Sequence, residues 1–144
     1  MTAPVRRTPP PHALAKLIRA LGRHYGPPAS LAPKDPFQLL LWEYVAYFAD
    51  DPTRAAAFAE LKTTVGLRPS QVADAPLPVL AAIARRGGSI AVAQRATRLR
   101  ETAITVRDKW RGSLRSVLRL HYAEARRALK AFPSIGPPGA DKIL

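Results

Sequence analysis

Apolar positions along the chain recur at intervals of three and four residues and almost nowhere at two. Leu14, Leu17, Ile18 and Leu21 share one face of a first helix, which Gly26-Pro27-Pro28 stops. Phe37, Leu40, Leu41, Tyr44, Val45 and Phe48 repeat without a miss and predict a core helix, with Asp35 as its cap and Pro36 in its first turn. Asp51-Pro52 has the same cap-plus-proline form and leads a helix through Phe58, Leu61 and Val65 to Gly66. Short helices are predicted at about 69–73 and 76–86, the latter closed by Gly87-Gly88. A long one follows over about 89–111, with Val92, Ala96, Leu99, Ala103, Val106 and Trp110 inward and Gly112-Ser113 as its break. Two more are predicted at 114–120 and 122–131, the second turning Tyr122, Ala125 and Leu129 inward. No stretch alternates cleanly at period two, and no repeat of roughly 20–50 residues is visible. The pattern therefore predicts an all-α, multi-helix bundle.

Beyond Lys130 the chain makes a tight turn from Pro133 to Gly136, and another helix opens at Pro137 with Ala140, Ile143 and Leu144 on its apolar side. A turn of this kind leaves backbone N–H groups unpaired at a helix mouth. Amides and helix dipole together cradle a phosphate without reading base sequence. The expected contacts are Pro133, Ser134, Ile135, Gly136 and Gly139, with Lys130, Arg126 and Lys142 adding positive charge. Gly136 is assigned the position where a missing Cβ admits a nucleic-acid backbone and where an unusual φ is needed. Pro137 and Pro138 remove two donors, so binding leans on side chains. The same residues also fit an ordinary helix corner plugged by Ile135.

The net charge of +13 makes a polyanionic partner the natural expectation, because neutralising phosphates releases counterions. Residues 95–130 carry a surplus of eight of those charges. An acidic membrane surface, or an arginine-rich genome, would also account for the bulk value. With no cysteine there is no disulfide, thiolate catalysis, zinc ribbon or cysteine-held iron–sulfur cluster in these residues. His12, His24 and His121 lack metal-ligand spacing, so no metal site is expected. No apolar run is long enough to span a membrane, and Arg6-Arg7 is not followed by a signal-peptide core. Asp50, Asp51 and Asp74 invite a carboxylate-pair reading, but Asp51 before Pro52 is better explained as a helix cap. Ser113, Ser116 and Ser134 have no nearby histidine base except His121, which does not support a hydrolase triad.

The segment Leu129-x-x-Phe132-Pro133-x-Ile135-Gly136-x-x-x-Ala140 resembles the Leu-x-x-Leu-Pro-Gly-Val-Gly-x-x-x-Ala hairpin of the endonuclease III-like DNA glycosylases, the helix-hairpin-helix–GPD superfamily. Asp35-Pro36-Phe37-Gln38-Leu39-Leu40 is similar to that family's Pro-Phe-Glu-Leu-Leu segment. Gly66-Leu67-Arg68 resembles its Ile-Gly-Leu segment, and Gly112-Ser113-Leu114 falls near its Gly-Gly-x-Val stretch. The resemblance implies a helical glycosylase fold over residues 12–144, cut off within the second hairpin helix, after a disordered Pro-rich lead-in over 1–11. It implies a base-excision-repair protein acting on double-stranded DNA as a monomer in the cytoplasm, associated with the bacterial nucleoid. A monovalent cation at the hairpin carbonyls is a further implied ligand.

Departures from the family pattern shape the chemistry to expect. Phe48 stands where the family has a glutamine that inserts towards the lesion. It would serve as a wedge in the duplex, although its place on the apolar stripe favours a core residue. Pro138 stands where bifunctional members carry the Schiff-base lysine, so lyase chemistry is not expected; Lys142 is a helical turn away. The aspartate used by monofunctional members is expected beyond Leu144. The implied activity is thus monofunctional N-glycosidic cleavage, with a non-catalytic DNA-binding module as the alternative.

Overall fold

The computed structural model describes residues 11–27 and 30–144. The lead-in expected over residues 1–11 lies outside them, except for Pro11, which opens the first helix. The chain divides into two compact units at Ser30/Leu31. The first holds α1 (Pro11–Tyr25), which buries none of its residues and keeps Leu14, Leu17, Ile18 and Leu21 exposed.

The second unit contains α2 (Pro36–Val45), α3 (Asp51–Thr64), α4 (Pro69–Asp74), α5 (Leu77–Arg86), α6 (Val92–Lys109), a 3₁₀ turn (Arg115–Arg119), α7 (Tyr122–Lys130) and α8 (Pro137–Ile143). The described residues contain no strand, so the chain is all-α. Helix α6 is central, with α2, α4 and α5 packed on it, while α7 and α8 pack on each other. Leu40, Leu41, Leu61, Leu80, Leu99, Val106 and Leu129 are fully enclosed in one core that also holds Phe132 and Ile135 of the hairpin turn.

Helix α2 starts where predicted: the Asp35 carboxylate accepts from the Phe37 and Gln38 amides at 3.1 and 3.2 Å, and Pro36 takes the first helical position. The cap of α3 is Asp50 rather than Asp51. Its Oδ1 accepts from Thr53 N at 2.8 Å, and Asp51 is already inside the helix. Helix α6 begins at Val92, later than the apolar pattern suggested, because Ala91 turns left-handed with φ 50°. Residues 115–119 form a 3₁₀ turn in place of an α-helix. Tyr122 faces outward, its hydroxyl bonded to Asp141.

Candidate nucleic-acid interface

The C-terminus of α2 is held unusually tightly, and this decides where the next residues point. Arg54 donates to the carbonyls of Trp42 and Glu43 at 2.7 and 3.3 Å. Arg95, only 2% exposed, donates to Val45 O at 3.0 Å, Ala84 O at 2.8 Å, Ile90 O at 2.9 Å and Gly88 O. One buried guanidinium thus ties together the ends of α2 and α5 and the loop before α6. Burial, and then the charge of Arg54, depress its pKa. An arginine nevertheless stays cationic in proteins, and the carbonyl ends of two helices answer its charge.

This knot turns the chain sharply after Val45. The Tyr47 amide donates to Gly87 O at 3.0 Å. Phe48 then adopts φ 51° and stands 85% exposed, its ring stacked edge-on against Tyr47 at 4.7 Å. Phe48 is therefore not a core residue: α2 ends three residues before it, and the apolar stripe runs past the end of the helix that would have buried it. Ile90, half exposed, projects from the neighbouring loop.

These loops border a cleft of about 760 Å³ lined by Glu43, Tyr47, Ile90, Arg98, Gly136 and Pro138 among others. Its opposite wall is the hairpin turn, fastened to α2 by Tyr44, whose buried hydroxyl donates to Pro133 O at 2.5 Å. Burial pushes this phenol up to about 12, against the opposing effects of the Thr102 hydroxyl and the Arg98 charge. The turn residues Ser134, Ile135, Gly136 and Gly139 all line the cleft.

Individually, the expected contact residues fare differently. Ile135 is buried and its amide is spent on Phe132 O at 3.3 Å, so it serves as the apolar plug. The amides of Ser134, Gly136 and Gly139 have no partner among the described residues. The unusual backbone belongs to Ser134, with φ 58°, and not to Gly136, which is extended at φ −85° and ψ −176°. A Cβ on Gly136 would meet nothing closer than Pro138 Cδ at 3.8 Å, so the protein itself does not require glycine there. Ser134 occupies the hairpin position where the resemblance has glycine. Ser134→Gly should therefore raise stability by about 1 kcal/mol by relieving the left-handed conformation, read as a higher urea midpoint at unchanged slope.

Arg126 is engaged by Asp141 at 2.8 Å and Lys142 by Glu43 at 2.8 Å, whereas Lys130 has no salt-bridge partner among the described residues. Across residues 95–130, Arg95 is buried, Arg107 pairs with Asp108 and Asp74, and Arg115 pairs with Asp35. The free positive surface there rests on Arg98, Arg100, Lys109, Arg111, Arg119, Arg127 and Lys130. The carbonyls of Phe132 and Pro133 already accept protein hydrogen bonds, which does not favour a monovalent cation in the turn. No cluster of metal-ligating side chains occurs among the described residues, and no helix there is long and apolar enough to cross a membrane.

The segment that resembles Ile-Gly-Leu stands where the sequence reading put it, directly before a helix. Gly66-Leu67-Arg68 forms the α3–α4 corner, with the Gln71 side chain accepting from Arg68 N at 3.1 Å, and contributes nothing to the cleft. The loop at the cleft is Gly87–Ala91. Sequence reasoning also missed Glu43, the one charged residue in the ten-residue helix PFQLLLWEYV, whose isolation was the available signal.

No family model and no curated protein matches the chain. In fold, it is similar to endonuclease III in a non-covalent complex with DNA, with a TM-score of 0.69 and 16% identity over 92% of this chain. It is similar also to endonuclease III in a trapped covalent intermediate with DNA, an estranged-adenine complex, at 0.67 and 15% over 92%. The class defined is the helical endonuclease III fold. The chain spans about 57% of the length of each of those proteins.

Proposed function

We propose that this chain binds double-stranded DNA, grips its backbone through the hairpin and probes the base stack with Phe48, as a base-excision glycosylase of the monofunctional kind. The observation that carries this reading is an aromatic ring held 85% exposed in a left-handed conformation, one ring removed from a cleft whose far wall presents open amides. An exposed phenylalanine in a costly backbone conformation earns nothing in folding. Inserted between base pairs it gains stacking, worth about 1–3 kcal/mol per base. Ile90, half exposed on the adjoining loop, adds a second apolar side chain at the cleft. The hairpin contributes the Ser134, Gly136 and Gly139 amides, with Lys130 adding charge. Pro138 faces the cleft where an imine-forming lysine would stand, so cleavage proceeds without a lyase step. Release of a free base distinguishes a glycosylase from a DNA-binding module.

Fluorescence anisotropy with a duplex containing one tetrahydrofuran abasic site, beside the intact duplex, tests the binding. The wild-type chain should prefer the abasic duplex. Phe48→Ala should lose about tenfold of that preference while keeping its melting temperature and its affinity for intact DNA. Gly136→Ala should melt like the wild type yet bind both duplexes more weakly, because the new methyl group stands beside the open amides. Equal binding of both duplexes by the wild type, or a Phe48→Ala variant that discriminates fully, would refute the reading.

A further inference from the structure

Helix α6 lines the cleft with Gln94 and Arg98, which stand one helical turn apart on the same face. Neither side chain has a hydrogen-bond or ion-pair partner among the described residues. The neighbouring cations are committed: Arg95 is buried on four carbonyls, and Lys142 is bonded to Glu43 at 2.8 Å. Arg98 is therefore the one uncommitted cation among the described residues that line the cleft. It is half-buried, and a guanidinium that gives up hydration without a partner weakens folding rather than supporting it. Its charge reaches the buried Tyr44 hydroxyl that fastens the hairpin, which sets the guanidinium at the hairpin side of the cleft. Tyr47, Ile90 and Pro138 supply apolar surface to the same space. Apolar walls with a few convergent polar groups suit a flat ligand with a polar edge.

We propose that Arg98, with Gln94 beside it, reads a base drawn into the cleft and selects a 6-oxopurine, whose O6 and N7 are adjacent acceptors; this rests on the DNA-binding reading above. The guanidinium is planar and carries donors only, in a fork that meets two neighbouring acceptors at once. The O6–N7 edge has that form, and arginine is its commonest reader. Adenine sets an amino group in place of O6, so donor would face donor and one would go unpaired. Gln94 offers both a donor and an acceptor, and its carbonyl suits the N1–H that stands next to O6. A phosphate is the plainer ligand for an arginine. It accepts only, so it leaves the Gln94 carbonyl idle, and the open amides of the hairpin already provide for one.

The experiment places one unpaired purine as a bulge in a duplex, where extrusion costs little. Hypoxanthine offers both O6 and N7, 7-deazahypoxanthine lacks the N7 acceptor, and adenine has the amino group in place of O6. By fluorescence anisotropy the wild type should bind the hypoxanthine bulge about tenfold more tightly than either of the others. Arg98→Met keeps an apolar stem without the fork and should bind all three bulges alike. Arg98→Lys keeps the charge as a single point and should retain only part of the preference; it carries the test if Arg98→Met melts early. The proposal is overturned if the wild type binds the three bulges equally, or if Arg98→Met retains the preference. A common loss on all three bulges, with the preference kept and the salt slope lowered by about one, would assign Arg98 to a phosphate instead. A wild-type chain that does not distinguish tetrahydrofuran duplex from intact DNA refutes the underlying DNA reading, and the Arg98 assignment with it.

Discussion

Replacing Arg95 by leucine should cost about 4 kcal/mol of folding stability, measured as a fall in the urea midpoint. The side chain is 2% exposed and donates to four carbonyls, two of them at helix ends. Each buried carbonyl left without a donor costs about 1–3 kcal/mol, and a leucine offers none of them a partner. Relief from burying a charge offsets part of the loss, which is why the estimate lies well below the sum. Arg95→Lys keeps the charge on a single nitrogen that cannot span carbonyls from three segments, so it should fall between the two. An Arg95→Leu variant within about 1 kcal/mol of wild type would mean that the guanidinium is dispensable. The loss should also reach the proposed DNA binding, because the loops carrying Phe48 and Ile90 are the ones Arg95 ties down.

Gly87→Ala should be nearly as damaging, at about 3 kcal/mol, for a different reason. With φ −87°, Gly87 has a backbone that any residue can adopt. Space is the obstacle: a Cβ there would stand 2.1 Å from Val45 O and 2.7 Å from Ala46 Cα. Neither neighbour is the movable tip of a side chain, so the loop must separate from α2, breaking the Tyr47–Gly87 hydrogen bond as it goes. Calorimetric melting checks this, with Gly136→Ala as the control in which the same methyl group meets open space. Equal melting of Gly87→Ala and wild type would show that this junction yields more easily than its packing implies.

The contrast between these two glycines shows what was legible in the sequence. Helix periodicity and proline starts place all eight α-helices of the described residues within a few residues, because a 3.6-residue repeat is a local property. The hairpin was legible for the same reason. Loop geometry was not, since the roles of Gly87, Gly136 and Ser134 depend on segments distant in sequence. Phe48 shows the limit of periodicity: its spacing continued that of α2, but the two arginines that stop the helix lie at positions 54 and 95. Net charge overstated the free positive surface in the same way, because no local rule shows that Arg95 turns inward or that Arg126 and Lys142 find carboxylates. Glu43 was visible as the single charge in an apolar helix, but only the fold sets it opposite the hairpin.

The left-handed turn at Phe48 has one more consequence. Glycine at that position would relax the backbone and remove an exposed apolar ring, so a library selected only for heat resistance should enrich it. The survivors would be sturdier proteins without the exposed ring on which the proposed function depends, and an assay of thermal tolerance alone would score them as improvements.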